Sequence, residues 1–214
     1  MRRSIWTGNR RWGGNVSSGV KSVIEIPTGV KMRLNVETKT ADVFERILLW
    51  LPVILLPLTN IITAAVTRAS ITAAYTTSNT WIPFLPAAIV FILGAVIEEL
   101  FYRWFLLKKV FFQATKLKPL LSILIVSALF AGMHLWNLRD GTSFSDIMFQ
   151  MAFAFCFSIW AGAVVWKTDQ IWIPLLAHVL LNATASDAEI AWVSVLVSVV
   201  VLTDGIWLMR GEKI

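Results

Sequence analysis

Long apolar runs alternate with short polar breaks along most of the chain. The runs fall at roughly 47–67, 83–107, 119–138, 147–166, 171–186 and 190–208. Most are interrupted only by Ser, Thr, Gly or Trp, and they lack the alternation of a barrel strand. A bilayer core of roughly 30 Å takes about 20 apolar residues as a helix. The pattern therefore predicts an all-α, polytopic membrane bundle of about six transmembrane helices. Pro52 and Pro57 are expected to kink the first helix, while Pro174 sits in the first turn of the fifth, where proline is tolerated.

Residues 1–46 read differently, being polar, basic and rich in Gly and Ser. No apolar stretch follows the basic start closely enough for a cleavable signal. Two parts are expected: a polar cytoplasmic tail over 1–46, partly disordered, and a membrane domain over 47–210. Met32, followed by a compact lead-in to the first helix, is a candidate native start.

Composition agrees with lipid as the solvent. The chain is 57% hydrophobic and 15% charged, less charge than a water-facing surface needs. The net charge of +6 reads as Lys and Arg in cytoplasmic loops and not as nucleic-acid binding. Lys108, Lys109, Lys116, Lys118, Lys167, Arg210 and Lys213 fall on one side of the predicted bundle. Arg68 and Arg139 fall on the other, diluted by Asp140, Asp187 and Glu189. Both termini are thus expected in the cytoplasm, in a prokaryotic cell membrane. Trp50, Trp81, Trp104, Trp136, Trp166 and Trp172 lie near helix ends, as interfacial tryptophans do. Cys156 is the only cysteine, which excludes an intrachain disulfide and a Cys-rich metal site.

Against this background a few residues stand out. An ionisable residue inside a membrane helix costs roughly 2.5–3.5 kcal/mol even on lenient scales. The second segment holds Glu98, Glu99 and Arg103, the third His134, and the fifth His178 and Asn182. Glu99 and Arg103 are four apart and can pair on one helix face. Glu98 points about 100° away, without a partner on its own helix, and is a candidate general base. Phe130 and His134 share a face, as do His178 and Asn182. Each feature alone has a structural explanation, such as a helix-tying hydrogen bond. Together they can aim a carboxylate, two imidazoles and a carboxamide at one point.

These residues resemble the motifs of the CPBP family, the CAAX protease and bacteriocin-processing proteins, also called Abi or type II CAAX endopeptidases. Glu98-Glu99-x-x-x-Arg103 is similar to its EExxxR motif, Phe130-x-x-x-His134 to FxxxH, and His178-x-x-x-Asn182 to HxxxN. All three occur in the family's order, and the resemblance covers roughly 83–186. It implies intramembrane hydrolysis of a peptide bond in a membrane-associated or lipidated, CAAX-like substrate. Glu98 would activate water with help from His134. His178 and Asn182 would stabilise the oxyanion, and Glu99 and Arg103 would hold geometry and charge.

No cofactor is expected. The alternative is zinc on Glu98, His134 and His178, a three-ligand set with one position open for water. Membrane lipid and the substrate are the expected partners, with no nucleic acid. A non-proteolytic immunity or scaffold role on the same fold is the alternative function. A transporter is disfavoured by the lack of an internal repeat. Counting from the cytoplasmic ends puts Glu98 and His178 roughly 10–14 Å deep but His134 roughly 22 Å. The mismatch closes if the second helix runs past Lys109, or if the third starts later or tilts.

Overall fold

Segments that are apolar on every side leave no face for water, so in lipid each must satisfy its backbone internally as a helix. The computed structural model bears this out. It describes residues 23–25, 31–33, 36–69, 71, 84–186 and 190–210. Trp81, Asp187, Glu189, Lys213 and the first 22 residues lie outside that set.

The described chain divides between Val43 and Phe44. The N-terminal unit holds a minimal antiparallel hairpin, β1 (Val23–Glu25) with β2 (Lys31–Arg33), in the register Ile24 opposite Met32. It also holds the first residues of α1 (Val36–Thr67). That helix begins about ten residues before the apolar run does. The lead-in is polar but free of Gly and Pro, so nothing in it stops a helix. The helix runs without interruption through Pro52 and Pro57.

The second unit is the helical bundle. α2 covers residues 84–114 in two windings, α-helical over Phe84–Glu99 and π-helical over Leu100–Ala114. α3 (Pro119–Met133) tightens into a 3₁₀ stretch over His134–Asp140 and stops at Gly141, whose φ of 84° is left-handed. α4 (Phe144–Thr168) is capped by Ser143, whose Oγ accepts from the Asp146 amide at 3.1 Å. α5 (Trp172–Ala183) and α6 (Ala191–Leu208) complete the set.

Four stretches are long and apolar enough to cross a membrane: Val43–Thr67, Pro119–Arg139, Phe144–Thr168 and Ala191–Leu208. The chain is an integral membrane protein with an all-α bundle fold. The other two helices fall short for reasons that bear on function. α5, at twelve residues, is about 18 Å long, less than the bilayer core. α2 changes winding at its centre, directly after Glu98 and Glu99, and carries Arg103, Lys108 and Lys109 in its second half. These two helices bring together two of the three motifs.

α4 is the axis of the bundle. Trp160, Ala161, Ala163 and Val164 have no exposed surface, and α3, α5 and α6 all pack against α4. Outward-facing Ile54, Ile97 and Trp192 remain more than half exposed, as lipid-facing residues do. Without a hydrophobic drive between helices in lipid, close approach relies on small residues. Gly205 of α6 meets the backbone of α4: a Cβ there would lie 2.8 Å from Trp160 Cα. Gly162 of α4 meets Ile123 of α3 in the same manner, at 2.9 Å from a side-chain carbon.

Gly205→Ala is expected to push α6 off α4 and cost about 1–3 kcal/mol, read as a lower unfolding temperature in detergent. Gly94→Ala, where an added Cβ meets nothing within 4 Å, is the control expected to leave it unchanged.

Candidate active site

Both winding changes fall at motif residues. α2 passes from α to π winding directly after Glu98 and Glu99, and α3 passes from α to 3₁₀ winding at His134. Irregular winding of this kind redirects side chains that a regular helix would hold in a fixed progression, and it recurs at functional sites. α2 also continues to Ala114, past Lys109, which is one of the adjustments the depth count required.

Glu99 and Arg103 are fully buried, and their Oε2 and Nε lie 3.1 Å apart. The two atoms are not aligned for a hydrogen bond, so the attraction is ionic. The guanidinium lies over the Phe130 ring, 4.3 Å from its centroid, with the Phe157 ring at 5.8 Å. A cation so placed gains from the ring quadrupoles what it lacks in acceptors. Phe130 thus works on two sides, as its ring also meets His134 edge-on at 5.4 Å and His178 at 6.0 Å.

His178 joins the two glutamates. Its Nδ1 lies 3.0 Å from Glu99 Oε1, and its Nε2 lies 3.9 Å from Glu98 Oε2. An ionised carboxylate can only accept, so Nδ1 carries a hydrogen and donates it to Glu99. The second distance is beyond a direct hydrogen bond. Glu98, without a partner on α2, therefore has one across the bundle on α5. His134 is fixed differently. Its Nδ1 lies 3.1 Å from the Phe130 carbonyl oxygen. A carbonyl also only accepts, so a hydrogen sits on Nδ1, and in the neutral imidazole Nε2 is then the acceptor. Asn182 donates from Nδ2 to the Phe91 carbonyl at 3.3 Å, a second tie between α5 and α2.

His134, His178 and Asn182 line one cavity of about 200 Å³, together with Phe130, Phe153, Phe157 and others. Glu98 is adjacent through His178, with 28% of its side chain exposed. Glu99 and Arg103 stand behind His178 and Phe130. The arrangement offers a proton acceptor on Glu98, a second on His134 Nε2, and polar groups on α5 facing them. For zinc the fit is poor: among the described residues no three His, Cys, Asp or Glu side chains group to hold a metal ion.

The profile of the family described as type II CAAX prenyl endopeptidase, Rce1-like, matches residues 79–184. That segment belongs to the Rce1-like family. The Rce1-like segment contains all six candidate residues and ends with α5, so α1 and α6 lie outside it. The family is one of membrane proteases, which supports peptidase activity at family level. No curated protein and no solved structure gives a significant match to the chain.

The motif spacing carries no sign of Phe157, which packs on His178 at 5.4 Å between ring centroids. It gives none of Asn60 and Gln150 either, which line the same cavity from α1 and α4. Both are polar residues in apolar helices, and a search extended from ionisable side chains to carboxamides would have found them.

Removing one member of the buried pair strands the other. Glu99→Gln and Arg103→Gln are each expected to cost about 3–5 kcal/mol, seen as sharply lowered unfolding temperature. Glu98→Gln, at a partly exposed position outside that pair, is expected to unfold near the wild-type temperature. Equal loss in all three variants would contradict this division.

Proposed function

We propose that the chain hydrolyses a peptide bond in a membrane-associated or lipidated, CAAX-like substrate, using water activated by Glu98 and His134. The observation that carries the reading is the arrangement across α2, α3 and α5: His178 bridges Glu99 and approaches Glu98, and shares its cavity with His134 and Asn182.

Water bound between Glu98 and His134 Nε2 gives a proton to Glu98, with His134 orienting it, as its oxygen attacks the carbonyl carbon. The C–O bond forms and the carbonyl oxygen takes the negative charge. Asn182 and His178 face that oxygen as donors. His178 can donate from Nε2 only with hydrogens on both nitrogens, and Glu99 at 3.0 Å then supplies the counter-charge. The C–N bond breaks as the proton held on Glu98 passes to the leaving nitrogen. Glu99 and Arg103 are positioning residues: they hold His178 and Phe130 and touch no reacting atom. The proposed reaction needs no metal. On this reading the protein lies in a prokaryotic cell membrane, and the bias of Lys and Arg supports cytoplasmic termini.

The test uses purified protein in liposomes with a membrane-anchored peptide library. Glu98→Gln is expected to lower turnover by about 10²–10⁴-fold, and Asn182→Ala to lower it at a temperature where the variant, short of its tie to the Phe91 carbonyl, is still folded. A chelator is expected to leave wild-type turnover intact. Cleavage that survives Glu98→Gln would remove the mechanism, and loss of cleavage on chelation, restored by zinc, would replace it with a metal-based one. If an immunity phenotype persists in Glu98→Ala cells, proteolysis is not its cause.

A further inference from the structure

Hydrolysis consumes water, and a site among apolar helices needs a route for it. A second cavity of about 240 Å³ adjoins the first. Asn60, Gln150, Phe153, Leu181 and Ala185 line both. Polar side chains recur along the second, with Thr59, Thr63, Asp146, Ser186 and Ser194 added to Asn60 and Gln150. A space of that size with such partners has room for several waters, each of which needs two or more polar groups. At the neck between the cavities, Asn60 donates to the Leu181 carbonyl and the Thr184 hydroxyl, each at 3.2 Å. Gln150 accepts from Asn137 at 2.9 Å. Both carboxamides are thus held in place at the junction.

The second cavity lies at a definite end of the bundle. Lys108 pairs with Asp169 at 2.8 Å, and Lys167 with Glu45 at 2.8 Å. Phe44 meets Trp207, and Trp50 meets Trp172. These contacts gather the start of the membrane part of α1, the second half of α2, the end of α4, the start of α5 and the end of α6 at one end. Lys109, Lys116, Lys118 and Arg210 belong there by chain position. The cavity is lined instead by the last turns of α1, the first turns of α4, the segment after α5 and the first turn of α6. It reaches exposed Asp146 at the opposite end.

We propose that this second cavity is the aqueous entrance of the site, and that water enters from the face opposite the lysines. By the bias of Lys and Arg, the lysine-bearing end faces the cytoplasm. The entrance then faces the other side of the membrane. The use of this water in hydrolysis rests on the proteolytic reading; the entrance itself does not.

The test labels single cysteines in a Cys156→Ser background with a membrane-impermeant, sulfonated thiol reagent, in vesicles of known orientation. Lys118→Cys marks the lysine-bearing face and Arg139→Cys the other. Gln150→Cys and Ser194→Cys report on the cavity. Both are expected to react in right-side-out vesicles together with Arg139→Cys, and not in the orientation that labels Lys118→Cys. Labelling that follows Lys118→Cys, or that needs detergent denaturation in both cavity variants, would overturn the proposal. Lys118→Cys reacting in right-side-out vesicles would overturn the outward orientation. Labelling is independent of turnover. An inactive protein labelled as expected removes the proteolytic reading alone, and an active protein labelled from the lysine side removes the entrance alone.

Discussion

A glutamate and an arginine with no exposed surface at all need a reason to be inside a membrane protein. Glu99 meets Arg103 on its own helix and the Nδ1–H of His178 on another. Lost desolvation energy is recovered only while both contacts hold. The carboxylate therefore fixes α5 against α2 in one rotation and register. It also fixes the face of the imidazole turned toward Glu98. The rest of the site inherits its geometry from this contact. Phe130 is held under the guanidinium, and His134 stands against the Phe130 ring.

That constraint sits on the two helices least suited to crossing lipid. α5 is short, and α2 changes winding beside the paired glutamates. Their polar groups are shielded by better membrane helices, above all α4, which glycine contacts bring close to α3 and α6. Burial by apolar helices makes the contacts of Glu99 and Arg103 obligatory, since neither has exposed surface on which water could compete. The same burial makes an access route necessary, and the carboxamides of Asn60 and Gln150 stand where such a route meets the site.

Much of this was legible in the sequence because lipid simplifies the code. Apolar length predicted every helix, and ends matched within a few residues except at the start of α1 and the end of α2. There, polar residues continue a helix that hydrophobicity alone cannot detect. The pairing of Glu99 with Arg103 followed from four-residue spacing. The link from Glu99 to His178 did not, because 79 residues separate them and only tertiary packing decides which nitrogen faces which carboxylate. His134 looks too deep beside Glu98 by counting because the apolar run ends the second helix near Lys109, whereas α2 continues to Ala114. Asn60 and Gln150 were missed because neutral amides do not stand out as charges do.

The most direct test of a hydrolytic cluster compares the termini of membrane proteins in cells carrying the wild type with those in cells carrying Glu98→Ala. The account predicts peptides with new C-termini in the wild type that vanish in the variant while the variant protein accumulates normally. Indistinguishable sets of termini, at equal protein levels, would contradict it.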